Sequence, residues 1–114
     1  MAVDRSLDEG IELIEAGEYF AAHEVLEDVW RAADAEERDF FQGLVHVAVA
    51  WYQAGRRNRV GCERQLEKAE RRLTPFAPAH RGLDLDDLLA QVRAAAADYP
   101  ELPTPRFRRT RTPG

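Results

Sequence analysis

Residues 35–54 read AEERDFFQGLVHVAVAWYQA, and this stretch decides the fold. At about 100° per residue, its apolar side chains occupy nearly every side of a helix. A helix with so little polar surface is typically central in a fold and covered by neighbouring helices. The valines would also suit a strand, but the length of the run and the capping residues that flank it favour a helix. We therefore predict a buried helix over about residues 35–54.

Two further helices are predicted before this central one. Ser6 and Glu9 have the spacing of a capping box, which predicts a helix start at Ser6. Gly17 can end that helix in a left-handed cap. A second helix follows over about residues 19–33. The turn between these two helices is very short, which indicates an antiparallel helical hairpin.

The remaining helix boundaries are marked by capping residues and prolines. Asp34, with Glu37 three residues later, marks the start of the central helix. Asn58 is a good cap for a fourth helix that Pro75 ends, and Asp84 caps a fifth helix. No strand pair is apparent. These patterns predict an all-α fold, a compact bundle of about five helices that begins with the antiparallel hairpin and has no sheet.

The chain length of 114 residues allows one domain with one core. We predict that residues 1–99 form this single helical domain. Pro100, Pro103 and Pro105 forbid further helix. Residues 100–114 are rich in proline and arginine, and we expect them to form a disordered tail.

The amino-acid composition indicates the cellular compartment of the protein and limits the partners it can have. The single cysteine, Cys62, cannot form an internal disulfide and leaves no set of thiolates for a zinc site, so a reducing compartment is expected. Charged residues near Met1 do not resemble a signal peptide, and the longest apolar run is too short to span a bilayer. We therefore expect a cytoplasmic protein with no membrane partner.

The charge is unevenly distributed along the chain. The net charge of −5 disfavours nucleic-acid binding by the folded body. Residues 106–114 carry four arginines and no acid, which offers a docking segment for a protein partner. A homo-oligomer is a further candidate assembly, because helical bundles of this size often pair.

A line of polar side chains on the second helix marks a candidate site. His23 and Glu27 lie one turn apart at the edge of the predicted buried arc, and Glu24 lies further round. Gln42, His46 and Gln53 form a polar line on the otherwise apolar third helix. Each buried polar group left unpaired costs about 1–3 kcal/mol, so we expect the two lines to face each other.

Three interpretations of this cluster are open. Its members are the polar and aromatic residues His23, Glu24, Glu27, Trp30, Gln42, His46 and Asn58. The first is a small-ligand site or a divalent metal site for zinc, iron or manganese, with His23, Glu27 and His46 as the metal ligands. The second is an interaction module whose polar core is purely structural. The third is a hydrolase or transferase in which a carboxylate orients a histidine for proton transfer, with no catalytic residue assigned.

Other single residues have simpler interpretations. Cys62 lies on the apolar side of the fourth helix and is predicted to be a core residue. His80 lies in a loop with prolines before it and is predicted to be solvated. Arg56, Arg57 and Arg59 form either a solvated basic turn or an anion grip near the start of the fourth helix.

Three motifs stand out in the first two thirds of the chain: Phe20-x-x-His23-Glu24-x-Leu26-Glu27-x-x-Trp30, Phe41-Gln42-Gly43-Leu44-Val45 and Asn58-x-x-Gly61. Together they resemble the motifs of the domain of unknown function (DUF) 309 family of small bacterial and archaeal proteins, and the likeness spans about residues 7–75. The resemblance implies an intracellular all-helical bundle without an established activity. It also implies that the family's signature positions are His23, Glu24, Glu27, Trp30, Gln42, Gly43 and Asn58.

The chain departs from the family pattern at one candidate ligand. His46 stands where that pattern usually has a glutamine, which weakens a metal site built on His46 and leaves His23 and Glu27 as the firmer pair. Gly43 has a structural interpretation. A glycine within a helix costs up to about 1 kcal/mol against alanine, which is tolerable where it lets another helix approach closely.

Overall fold

The computed structural model describes residues 2–110, which form five helices joined by short turns. The helices are α1 (Ala2–Glu15), α2 (Tyr19–Ala32), α3 (Ala35–Gly55), α4 (Arg59–Leu73) and α5 (Leu85–Asp98). The predicted all-α bundle is therefore confirmed. The α1 helix begins at Ala2 rather than at Ser6, and the other predicted boundaries agree to within one or two residues. None of the helices within residues 2–110 is long and apolar enough to cross a membrane.

The α3 helix is the centre of the core, as its sequence predicts. It packs against α2 on one side and α4 on the other. Phe40, Phe41, Leu44 and Val47 are completely buried. The α1 helix packs on α2, and α5 packs on α4, so the two outer helices cover apolar sides of α2 and α4. Burial of this apolar surface is the main source of free energy that favours the folded state.

Local capping signals end several of the helices as predicted. The Gly17 backbone has a φ of 80°, and its amide bonds the Ile14 carbonyl while the Glu18 amide bonds the Leu13 carbonyl. This pair of bonds is a Schellman motif. The Asp84 carboxylate accepts a 2.9 Å bond from the Asp87 amide at the start of α5. The predicted caps at these two ends are therefore confirmed.

A short β-hairpin between α4 and α5 is a difference from the predicted fold. Strands β1 (Ala79–His80) and β2 (Leu83–Asp84) pair in antiparallel register. Arg81 and Gly82 join them with φ angles of 49° and 76°, and positive φ at both central residues is what a type I′ turn requires. Strands of two residues are too short to show the alternation by which a sequence reveals a strand.

Residues 100–110 lie against the helical body, in contrast to the expected disorder. The indole Nε1 of Trp51 donates a 2.8 Å bond to the Pro103 carbonyl. The Gln91 side-chain amide bonds both the carbonyl and the amide of Arg106, at 2.7 and 2.9 Å. Prolines exclude helix here, but they allow an extended chain whose polar groups are satisfied by side chains of α3 and α5.

The end of this C-terminal segment joins the hairpin. The Asp84 amide bonds the Arg108 carbonyl, and the Thr110 amide bonds the Gly82 carbonyl, each at 2.8 Å. Phe107 also packs against the core. Residues 111–114, which hold one of the four arginines of the predicted docking segment, lie outside the described residues. The docking of a protein partner on that segment stays a prediction.

Gly43 lies at a close approach between α3 and α4. A Cβ atom at this position would lie 2.6 Å from two carbon atoms of the Leu73 side chain. That separation is well inside van der Waals contact. The close approach expected from the sequence is therefore confirmed, and it explains a glycine inside a buried helix.

We expect Gly43→Ala to lower the free energy of unfolding by up to about 2 kcal/mol. Overpacking costs about 1–3 kcal/mol, and the better helix propensity of alanine returns about 1 kcal/mol. Denaturant unfolding monitored by circular dichroism measures the change. Gly55→Ala is the matched control, because nothing lies within 4 Å of a Cβ there, and it should be neutral or stabilising. Equal stability of the two variants would contradict the close approach.

Deletion of residues 103–114 should lower the melting temperature. It leaves the Trp51 indole and the Gln91 amide without their backbone partners, and a lost hydrogen bond costs about 1 kcal/mol. For a domain of this size, each kcal/mol corresponds to about 4–8 °C. Deletion of residues 111–114 alone keeps every contact described above and is the control. The same melting temperature for both truncations would show that the segment adds no stability.

Candidate functional site

The His23–Glu27 pair lies on α2, where the helical spacing of four residues brings the two side chains together. The His23 Nε2 lies 2.8 Å from the Glu27 Oε2, and both side chains are about a quarter exposed. The second carboxylate oxygen of Glu27 bonds the Arg31 guanidinium. The His23 Nε2 therefore faces a carboxylate oxygen, which can only accept a hydrogen bond.

The second ring nitrogen of His23 is buried. Among the described residues, its Nδ1 has no hydrogen-bond partner. A buried polar nitrogen without a hydrogen-bond partner costs free energy. His23 lines a cleft together with α3 residues, but its Nδ1 bonds no amide of the polar line on α3.

A cleft lies beside His23, at the seam between α2 and α3. Its volume is about 190 Å³, and its lining residues are Phe20, His23, Val49, Tyr52 and Gln53. The Phe20 ring lies 5.5 Å from the Tyr52 ring and 5.6 Å from the His23 ring, each between centroids. Phe20 is 53% exposed, so the cleft opens beside a large apolar side chain in contact with solvent.

Arg56 contacts Tyr52, one of the residues that line this cleft. It lies one turn after Tyr52, and its guanidinium carbon is 5.6 Å from the centre of the Tyr52 ring. Its Nη1 donates a 3.3 Å bond to the Tyr52 hydroxyl. The rim of the cleft at the end of α3 is therefore positively charged.

His46 takes no part in the cleft, because its side chain turns towards α4. Its Nδ1 lies 2.7 Å from the Gln65 Oε1. Burial lowers the pKa of His46, and the positive charges of Lys68, Arg72 and Arg71 lower it further, against an opposing effect of the Gln65 hydrogen bond. The imidazole is therefore held neutral, with its Nδ1–H donating to Gln65.

The structure does not bring together the metal ligands suggested by the sequence. His23 and Glu27 are paired, but His46 lies on the α4 side of the central helix. Within residues 2–110, no group of three or more His, Cys, Asp and Glu side chains is arranged to hold a metal ion. The physical reason is that α3 has neighbours on two sides, so a polar line along it is shared between two seams.

Three other candidates lie outside the cleft. Glu24 is exposed to solvent. Trp30 is half-buried and packs against the core, and Gln42 is half-buried. The predicted site is therefore divided, and only His23 of the seven candidates lines the cleft.

Asn58 has a structural role in the turn after α3. Its Oδ1 accepts a 2.9 Å bond from the Gly61 amide, which confirms it as the cap of α4. Its Nδ2 donates a 3.1 Å bond to the Gln53 Oε1 and so holds a residue of the cleft. A Cβ at Gly61 would lie 2.7 Å from the Asn58 Nδ2. The Asn58-x-x-Gly61 motif is thus explained by space for the capping side chain.

An ionic cluster around Glu37 was missed by the sequence analysis. The Glu37 carboxylate lies 2.9 Å from the His80 Nε2 and accepts a 2.6 Å bond from the Arg81 Nε. Arg81 also bonds Asp4 on α1, at 2.8 Å. His80 is therefore not simply solvated, and its ring lies 4.7 Å from that of Phe40. Glu37 does not complete a capping box.

The charges of this cluster set the pKa of Glu37. Burial raises that pKa, but hydrogen bonds from Arg81 and His80, together with their positive charges, lower it more, so it lies below its usual value. The carboxylate is therefore held ionised. It ties the hairpin between α4 and α5 to the start of α3.

We expect Glu37→Gln to cost about 1–3 kcal/mol of stability near neutral pH, because the variant loses charge-assisted hydrogen bonds. A pKa lowered on folding contributes stability above the unfolded-state value of about 4.5, and this is lost as the pH falls through the folded-state pKa. The difference between variant and wild type should therefore shrink below about pH 4.5. Denaturant unfolding over a pH series measures it.

Asp28→Asn is the control for this series, because Asp28 is exposed and pairs with the exposed Arg31. Its effect on stability should be small at every pH, since exposed pairs contribute little. A loss for Glu37→Gln that stays constant with pH would contradict the stabilised carboxylate.

The fold and the contacts define a small helical-bundle protein with an aromatic-lined cleft between its second and third helices. The family described as "Domain of unknown function (DUF309)" matches residues 7–65, and the chain belongs to this family. This match confirms the resemblance seen in the sequence motifs. All five residues that line the cleft fall within the matched stretch, whereas Asp4, His80 and Arg81 of the ionic cluster fall outside it.

A curated relative supports the same family assignment. The chain is similar to the "Uncharacterized protein YpuF" of Bacillus subtilis (strain 168), with 31% identity over 81 residues. The aligned part covers 70% of this chain and 47% of that protein. The chain thus spans about half the length of this relative.

Proposed function

We propose that the protein is an interaction module, which seats one apolar side chain of a partner protein in the cleft between α2 and α3. The observation that carries this proposal is the position of Phe20. A phenylalanine that is 53% exposed lies beside Tyr52 at the mouth of a cleft. Exposed aromatic residues beside a small pocket are typical of the anchor points of protein interfaces.

The size of the cleft favours a side chain over a cofactor. Sites for drug-sized ligands and cofactors have volumes of about 300–1,000 Å³. The cleft has a volume of about 190 Å³ and is open on one side. One aromatic or branched aliphatic side chain fits that space, and the rest of the partner chain would lie across the α2–α3 surface.

The chemistry of His23 favours a structural role over proton transfer or metal binding. Its Nε2 is engaged by Glu27, and its Nδ1 is buried. A general base needs a nitrogen within hydrogen-bond reach of the substrate proton, and a metal ligand needs a lone pair that the ion can reach. Neither nitrogen is presented in this way. The imidazole instead forms part of the wall of the cleft, with its orientation fixed by Glu27.

A peptide-display selection against the wild-type protein tests this proposal. Selected peptides should share one aromatic or aliphatic residue and should bind Phe20→Ser at least about tenfold more weakly, as expected for a hot-spot contact. Isothermal titration calorimetry with the synthesised peptides measures the affinities. Phe20 is exposed, so its replacement leaves the core intact, and circular dichroism checks this.

Val60→Ser is the matched control, because Val60 is likewise a large exposed hydrophobic residue, at 59%, and it lies on α4 outside the cleft. Peptide affinity should not change in this variant. Peptides that bind Phe20→Ser as tightly as the wild type, or that lose affinity only for Val60→Ser, would refute the cleft as the binding site.

A further inference from the structure

Arg56 is the one arginine of the basic turn that has no acidic partner within residues 2–110. Arg57 lies 3.5 Å from Glu101, and Arg59 lies 3.7 Å from Glu63. Arg56 instead contacts the Tyr52 ring and bonds its hydroxyl. A guanidinium has five N–H donors, so most of the Arg56 donors are free for a further acceptor.

The contact with Tyr52 holds this guanidinium at the rim of the cleft. An arginine stacked on an aromatic ring loses less side-chain entropy when it binds an anion than a freely moving one does. The two α2 carboxylates near His23 in the sequence, Glu24 and Glu27, do not line the cleft. Glu27 is engaged by His23 and by Arg31, and Glu24 is exposed on the far side of Phe20. The positive charge beside the cleft is therefore that of Arg56, at the C-terminal end of α3.

We infer that the partner presents an acidic peptide segment, in which an apolar side chain fills the cleft and an adjacent aspartate or glutamate binds Arg56. This inference rests on the proposed function, and it adds the chemistry of the partner. The positive charge of Arg56 is opposite in sign to the net charge of the protein. A chain with a net charge of −5 repels acidic peptides in general, so any preference for them requires a local cation.

Three capped peptides test the inference by nuclear magnetic resonance titration of the ¹⁵N-labelled full chain at low salt. The peptides are Ac-Asp-Phe-Asp-NH2, its neutral counterpart Ac-Asn-Phe-Asn-NH2, and Ac-Asp-Ala-Asp-NH2, which lacks the anchor. Acids flank the anchor on both sides, so that the test does not depend on the direction of the peptide. The backbone amides of Phe20, Val49, Tyr52 and Gln53 report occupation of the cleft.

The acidic Phe peptide should bind about two- to fivefold more tightly than the neutral one, as expected for an exposed ion pair. Arg56→Gln should abolish this preference while the neutral peptide binds as before. Arg64→Gln is the control, because it removes the same charge from an exposed position on α4 outside the cleft and should keep the preference. Added salt should also reduce the preference.

The outcomes separate the two proposals. Equal binding of both Phe peptides at the cleft, or a preference that survives in Arg56→Gln, would overturn the inference and leave the interaction module standing. Binding of the Ala peptide as tightly as the acidic Phe peptide would overturn both. Chemical shifts at the cleft that change on dilution without any peptide would show that a second copy of the chain occupies it, which would also overturn the inference.

Discussion

The α3 helix carries apolar side chains around almost its whole circumference, and burying them requires a neighbour on every side. The α2 and α4 helices cover its two flanks. Near its C-terminal end, residues 100–110 cover the side that carries Trp51. The few polar positions of α3 therefore lie at the seams between helices. His46 lies at the α4 seam and Gln53 at the α2 seam, so the arrangement of the core divides what appears in the sequence as one polar line.

Features set by neighbouring residues could be predicted from the sequence, and features set by distant ones could not. The caps at Asn58 and Asp84 and the pairing of His23 with Glu27 depend on spacings of three or four residues within a helix. The pair formed by Glu37 and His80 joins residues 43 positions apart. The short hairpin and the course of residues 100–110 likewise depend on tertiary contacts that leave no periodic pattern. His46 was expected to face α2, but α4 covers the other flank of α3, and His46 bonds Gln65 there.

The two polar clusters of the molecule differ in how completely their groups are paired. In the ionic cluster, Glu37 bonds both His80 and Arg81, and Arg81 also reaches Asp4, so each of these groups has a partner within the protein. Beside the cleft, by contrast, Arg56 contacts an aromatic ring rather than an acid among residues 2–110, and most of its N–H groups are unused. Balanced groups stabilise a fold, whereas groups with unused bonding capacity at a surface are available to a partner.

Phe20 is an apolar residue of α2 that the packing of this helix does not require. The α2 helix needs apolar side chains only on the sides that meet α1 and α3, and Ala22, Leu26 and Val29 supply them. Phe20 lies beyond that buried arc, where a polar residue would fold equally well and would not expose a ring to water. Packing of the chain itself therefore does not account for an aromatic side chain here. Contact with Tyr52 recovers only part of its hydration cost. A partner that covers both rings would remove the remaining hydration cost of Phe20. The cleft beside the two rings is therefore the part of this fold best suited to binding.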